Sequence, residues 1–182
     1  MGVRNSYLCA VAAAKLMVPA QSGLIVNVSS PGGLGWFNDP IYGVGKSAVD
    51  RMACDIGYEL HPHGVAAVSL WPGPVGTEVV KDVTGMPDQA VTSGAVESVE
   101  YSGVCVVALL HDPAFALKLS GQVLQTGEIA EHYGLVDPAS GKRVPSWRDP
   151  ALVDRVVGGF RDMAHAPLPT GKPRPPRQSA KL

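Results

Sequence analysis

Tyr42 and Lys46 stand four residues apart, a spacing that stacks both side chains on one face of a helix. A free phenol titrates near ~10, too high to exchange protons readily at neutral pH. An ammonium held beside a phenol favours the ionised form and makes it a workable general acid and base. Leu24, Ile25, Val26, Asn27 and Val28 read as a buried strand, and Ser29 and Ser30 close it. A serine hydroxyl there could hydrogen-bond the same reacting oxygen as the tyrosine. In open α/β sheets the crevice outside the carboxyl ends of the strands is where ligands bind, and both serines fall at such an end. Gly43 and Gly45 lie inside the expected helix, each at a cost of roughly 1 kcal/mol against alanine. That penalty points to close approach by another group, or to a packing need for small residues.

The elements around these residues follow from the hydrophobic pattern. After Lys46, the residues Ala48, Val49, Met52, Ala53, Ile56 and Leu60 continue an apolar stripe at helical spacing. The helix should stop near His61-Pro62-His63-Gly64, where histidines complement the helix dipole and Gly64 suits the C-terminal cap. No further ligand clusters with His61 and His63 in the sequence, so no metal site is expected. Residues 65–71 form a second apolar run, and strand, helix and strand make a βαβ unit with parallel strands. Pro72, Gly73, Pro74, Val75, Gly76 and Thr77 then form a turn at the second strand's carboxyl end, where it would line the ligand crevice. Upstream, residues 5–19 read as a helix capped by Asn5 or Ser6 and stopped by Pro19. Residues 78–97 are polar with weak periodicity, and connections of that length are more often functional or mobile than bland. A helix over residues 99–110, with Val99, Gly103, Val106, Val107 and Leu110 on one face, and a last strand over residues 119–124 complete the ordered part.

Length and composition set the outer limits. The chain has 182 residues, 46% of them hydrophobic, enough for one domain with a real core. A net charge of −1 argues for neither nucleic acid nor an anionic membrane as partner. Only 17% of residues are charged, which suggests that other elements or other subunits cover much of the surface. Cys9, Cys54 and Cys105 all fall in apolar helical patterns and read as core thiols of a reducing compartment. The longest apolar run, residues 104–110, is too short to span a bilayer. From Asp137 the composition turns to Pro, Gly, Ser and basic residues. The expected division is a domain over 1–136, an extension over 137–164 with a short helix at 152–163, and a disordered proline-rich tail over 165–182. Within that tail, Pro173-Arg174-Pro175-Pro176 fits a PxxP pattern. The terminal Ala180-Lys181-Leu182 resembles a peroxisomal address, the alternative to a cytoplasmic location.

The strand ending in Ser29-Ser30, the Tyr42-Gly43-Val44-Gly45-Lys46 motif and the turn from Trp71 to Thr77 together resemble the short-chain dehydrogenase/reductase family, over residues 1–134. The resemblance implies an α/β fold: the C-terminal part of a Rossmann-type, doubly wound parallel sheet, about three strands with flanking helices. It implies an NAD(P)-dependent oxidoreductase that moves a hydride between nicotinamide and a small carbonyl or secondary alcohol substrate, with NAD against NADP left open. Tyr42 would be the general acid/base, Lys46 its partner and a ligand of the nicotinamide ribose, and Ser30 the residue that orients the substrate oxygen. Family members commonly place that serine thirteen residues before the tyrosine, which is Ser29, whereas alignment on the strand end favours Ser30; neighbours on a strand point to opposite faces, so only one can serve. Pro72, Gly73 and Val75 would contact the nicotinamide side of the cofactor and Thr77 its pyrophosphate. Helices 5–19 and 42–60 resemble those that pair subunits in the family, which implies a homo-oligomer.

One family feature is not in these residues. No Thr-Gly-x-x-x-Gly-x-Gly turn occurs, and Gly32-Gly33-Leu34-Gly35 sits in the serine–tyrosine loop without opening a helix. The chain is therefore expected to correspond to the C-terminal portion of a family member and to bind NAD(P)H weakly, or not at all, by itself. The alternative expectation is a non-catalytic remnant or interaction subunit, whose strand at residues 24–28 forms an exposed sheet edge.

Overall fold

The run from Val65 to Trp71 is apolar except at Ser69, and such a strand needs cover on both faces, as parallel strands flanked by helices have. In the computed structural model of the chain, which describes residues 2–34, 39–85 and 87–144, Val65–Trp71 (β2) is buried at every position. Gly23–Val28 (β1) runs parallel along one side, from Gly23 opposite Val65 to Val28 opposite Leu70. Val123–Gln125 (β3) runs parallel along the other, with Ser69 opposite Val123. The order β1-β2-β3 makes a three-stranded parallel sheet, the α/β architecture expected from the sequence.

Gly2–Ala20 (α1) and Pro40–Leu60 (α2) cover one face of the sheet. There Ala10 meets Ile25, Val65 and Ala67, and Met17, Ile56 and Leu60 fill in around them. Glu78–Thr84 (α3) and Gln89–Thr92 (α4) follow the turn that leaves β2. Tyr101–His111 (α5), Pro113–Lys118 (α6) and Thr126–Tyr133 (α7) complete the order among the described residues. On the second face Tyr101, Cys105, Leu109, Ile129 and Ala130 pack with Val68, Leu70 and Leu124. Odd positions of β2 thus serve one layer and even positions the other, as strand alternation requires.

Several sequence expectations are corrected. The first helix starts before Asn5 and Ser6 and carries Pro19 inside its final turn. Asn and Ser cost little within a helix, and a proline so near the end forfeits only one backbone bond. The buried side of α5 is Tyr101, Cys105 and Leu109, while Val99, Val107 and Leu110 are exposed. Apolar residues surround nearly the whole of that helix, so periodicity could not choose its face. Of the three cysteines only Cys105 is buried; Cys9 and Cys54 are exposed. The last strand begins at Val123 because the chain turns at Gly121, whose φ is 84°. Residues 137–144 pack against the same core through buried Asp137 and Val144. The helix expected at 152–163, the tail at 165–182 with its PxxP pattern, and Ala180-Lys181-Leu182 lie outside the described residues.

The placement of α2 depends on a glycine the sequence did not single out. A Cβ on Gly57 would lie 2.4 Å from the Gly121 nitrogen, 2.6 Å from its Cα and 3.0 Å from the Ala67 carbonyl oxygen. These are backbone atoms and cannot rotate away. Gly57→Ala is therefore expected to destabilise the fold by about 1–3 kcal/mol in urea unfolding, the usual cost of overpacking. Gly45→Ala, with nothing within 4 Å of the new methyl, should gain about 0.5–1 kcal/mol from helix propensity. Equal effects at the two positions would refute the close-packing account.

Candidate active site

Pairing with β2 continues one residue past β1, where the Ser29 amide donates to the Leu70 carbonyl at 2.8 Å. This fixes the direction of the two serines that follow Val28. Ser29 is buried, and its hydroxyl donates to the Lys46 carbonyl at 3.2 Å. Ser30 faces the other way, and its Oγ lies 2.9 Å from the Tyr42 hydroxyl oxygen. Ser30 Oγ also accepts from the Gly32 amide at 3.2 Å, capping a single 3-10 turn at Pro31–Gly33.

That turn lies against the start of α2, and its glycines are what allow it to. A Cβ on Gly32 would sit 2.6 Å from Tyr42 Cε1, and one on Gly33 would sit 2.9 Å from the Ser47 amide. The two helix glycines from which close approach was expected behave differently. Gly43 makes only an ordinary 3.4 Å approach to the Gly32 carbonyl, and Gly45 faces open space. The constraint on small residues lies in the loop, on the opposite side of the same contact.

Asp39 starts α2, accepting from the Tyr42 amide at 2.8 Å, with Pro40 as the first helical residue. Such a cap satisfies one of the orphan amides, and proline has none to lose there. Tyr42 consequently sits in the first turn of α2, at the carboxyl end of β1. One turn on, Lys46 Nζ donates to the Val28 carbonyl at 3.3 Å and lies 5.6 Å from the centroid of the Tyr42 ring. Ser30, Tyr42 and Lys46 are thus brought together.

Pro72, Gly73, Val75 and Thr77 occupy a second turn, at the carboxyl end of β2. Because β1 and β2 are adjacent and parallel, both groups share one edge of the sheet. Two carboxylates that sequence reasoning missed anchor this edge. Asp50, one helical turn beyond Lys46, accepts from Ser69 Oγ at 2.6 Å and Trp71 Nε1 at 3.0 Å, joining α2 to β2. Glu97 is wholly buried; its Oε1 accepts from the Gly73 amide at 2.8 Å and from the Thr126 hydroxyl. Its backbone bridges to Val75, accepting from the Gly76 amide at 2.9 Å and donating to the Pro74 carbonyl at 2.8 Å. Thr77 Oγ1 accepts from the Val80 amide at 3.2 Å and caps α3.

The sequence signals differ in kind. Asp39-Pro40 is an ordinary helix-start signature, and Asp50 extends the Tyr42–Lys46 face by one turn. Glu97 has no local signal, since its partners are distant in sequence. Burial pushes the Glu97 carboxyl up from the ordinary range, opposed by the Thr126 hydroxyl and the Gly73 amide, while nearby Asp137 adds to the rise. Asp137 is itself buried and accepts from the Ser98 amide at 2.7 Å and the Ala139 amide at 2.8 Å. Among the described residues no three His, Cys, Asp or Glu side chains are grouped to hold a metal ion. His61 and His63 lie in a 3-10 turn closed by Gly64 at φ 68°. No described helix is long and apolar enough to cross a membrane.

In sequence and in fold the chain is similar to known proteins. The short chain dehydrogenase family profile matches residues 3–88. Two curated relatives carry the description dehydrogenase/reductase SDR family member 1. The mouse protein is 52% identical over 147 residues, covering 75% of this chain and 46% of its own length. The human protein is 47% identical over 171 residues, covering 88% of this chain and 53% of its own. The chain thus spans about half the length of the curated relatives it matches. A crystal structure from Beutenbergia cavernae, of a candidate NAD(P)-dependent gluconate 5-dehydrogenase with bound NADP, superposes with a TM-score of 0.59 at 22% identity. The match covers 72% of this chain and 55% of that one, and it shows the fold.

The raised Glu97 carboxyl has a consequence for stability against pH. Above the unfolded carboxyl range, near ~4.3, the folded chain holds this proton more tightly than the unfolded chain does, so stability falls as pH rises through that window. Glu97→Gln cannot ionise and should remove this part of the fall. Urea midpoints of the parent and Glu97→Gln are expected to move in the variant's favour between pH 4 and pH 7. A difference between them that is the same at both pH values would contradict the assignment.

Proposed function

The chain belongs to the short-chain dehydrogenase/reductase family, and from that premise we propose that it carries the proton-transferring, nicotinamide-facing part of an NAD(P)-dependent oxidoreductase acting on a small carbonyl or secondary alcohol. The observation that carries the reading is the 2.9 Å contact between Ser30 Oγ and the Tyr42 hydroxyl, with Lys46 alongside. When bound, the cofactor supplies or takes the hydride at nicotinamide C4.

The chain's own residues handle the proton and the orientation. In reduction, the Tyr42 hydroxyl would donate its proton to the carbonyl oxygen as negative charge develops there; in oxidation it would take the alcohol proton. Ser30 would donate to the same oxygen from the adjoining strand end, because its hydroxyl already lies within hydrogen-bond reach of the tyrosine's. Lys46 would set positive charge beside the tyrosine when that proton has left, and hydrogen-bond the nicotinamide ribose. The turn with Pro72, Gly73 and Val75 would present backbone groups to the carboxamide. Thr77 Oγ1 accepts within the chain, which leaves the hydroxyl hydrogen able to donate to the pyrophosphate. The glycine-rich phosphate turn of the family has no counterpart in these 182 residues, so weak nucleotide binding by this chain alone belongs to the same reading.

A second reading, an interaction subunit without turnover, is favoured by one observation. Among the described residues β1 pairs only with β2, and Val28 is 57% exposed. An open parallel edge of this kind is a template for another strand.

Calorimetric titration with NADPH and NADH, with carbonyl reduction followed at high nucleotide, separates the readings. Binding is expected to be weak, with a dissociation constant on the order of millimolar. Tyr42→Phe should lower turnover by at least about 10²-fold, the usual contribution of a general acid. Unchanged turnover in Tyr42→Phe would overturn the assignment of Tyr42. A folded chain with no reduction at any nucleotide concentration would favour the interaction subunit.

A further inference from the structure

The turn at residues 72–77 holds together through a residue far from it in sequence. Pro and Gly supply its bends, but neither fixes where its amides point. Glu97 does so from three directions: Oε1 takes the Gly73 amide at 2.8 Å, its carbonyl takes the Gly76 amide at 2.9 Å, and its own amide reaches the Pro74 carbonyl at 2.8 Å. The fit is close as well as polar, since a Cβ on Gly73 would come within 2.7 Å of Oε1. Oε1 is held in turn by the Thr126 hydroxyl, which ties the turn to the residue after β3. The side chain is fully buried, and among the described residues Oε2 has no hydrogen-bond partner. Leaving a carboxyl oxygen buried and unpaired is costly; set against that cost, Oε1 accepts from the Gly73 amide and the Thr126 hydroxyl, donors that an apolar residue could not serve. The group at this position acts as a directed acceptor.

We infer that Glu97 is a positioning residue for the Pro72-to-Thr77 turn: by holding the Gly73 and Gly76 amides from behind, it sets the turn in the arrangement in which its remaining backbone groups face the nicotinamide. The link to the nicotinamide rests on the oxidoreductase reading above; the hold on the turn does not.

The test compares the parent chain with Glu97→Met, which keeps the length and removes the acceptor, and Glu97→Gln, which keeps an acceptor oxygen. Amide hydrogen exchange is followed at Gly73 and Gly76 and, as an internal reference, at Val68 and Leu70 of β2. Glu97→Met should speed exchange at Gly73 by at least about tenfold relative to the β2 reference, and Glu97→Gln should leave it within about threefold of the parent. A merely structural role would instead move β2 and the turn together. Unchanged exchange at Gly73 in Glu97→Met, or Glu97→Gln behaving like Glu97→Met, overturns the inference. Should Glu97→Met fail to fold, Gly73→Ala attacks the same contact with Glu97 intact. It should speed exchange at Gly76 and not at β2, and no change there overturns the inference equally. NADPH titration of each folded variant is read separately. A parent chain that binds no NADPH counts against the oxidoreductase reading and leaves the exchange result standing. A parent that binds, with Glu97→Met binding equally well despite a loosened turn, removes the nicotinamide from the inference.

Discussion

The close crossing of α2 over β2 is the constraint on which the rest of this structure depends. Gly57 lets the helix backbone approach the Ala67 carbonyl and the Gly121 turn with no side chain between them. Near the opposite end of α2 the glycines are on the other partner, where Gly32 and Gly33 let the serine loop lie against Tyr42 and Ser47. A helix pinned close at both ends has little freedom to slide or tilt against a densely packed interior. The positions of Tyr42 and Lys46 relative to Ser30 follow from that pinning.

On this frame, polar side chains place the functional edge of the sheet. Asp39 caps α2 and sets Tyr42 in its first turn. Asp50 takes hydrogen bonds from Ser69 and Trp71, so the helix that carries Tyr42 is joined to the strand that leads into the second turn. Glu97 then holds that turn from behind. Each of these carboxyl groups accepts hydrogen bonds in partly or wholly buried surroundings, and such bonds fix geometry because leaving them unmade is costly. Hydrophobic burial supplies the general cohesion, through the two layers on either face of β2. The direction of individual side chains comes from the carboxylates and glycines.

Much of the candidate site was legible from residue type and spacing. A tyrosine and a lysine four apart must share a helix face, and a strand ending in serines beside a Pro/Gly turn belongs at the carboxyl end of a parallel sheet. These are local periodicities, set by backbone geometry, and β1, β2 and α2 form at or close to where that geometry puts them. The side of α5 that is buried was not legible, because a helix apolar nearly all round offers no contrast to read. The exposure of Cys9 and Cys54 was not legible either, since an apolar neighbourhood in sequence says nothing of what covers a helix's outer face.

The choice between Ser29 and Ser30 marks the boundary most sharply. By itself the sequence determined that only one of two adjacent strand residues could face the tyrosine, because strand side chains alternate. Which one faces it was decided by tertiary structure. The Ser29 amide pairs with Leu70 on the neighbouring strand, and that bond turns its side chain toward the Lys46 carbonyl and Ser30 toward Tyr42. Glu97 lies wholly on the far side of that boundary. Its contacts run to Gly73 and Thr126, partners 24 and 29 residues away, and the pairing of β2 with β3 is what brings them to a single point.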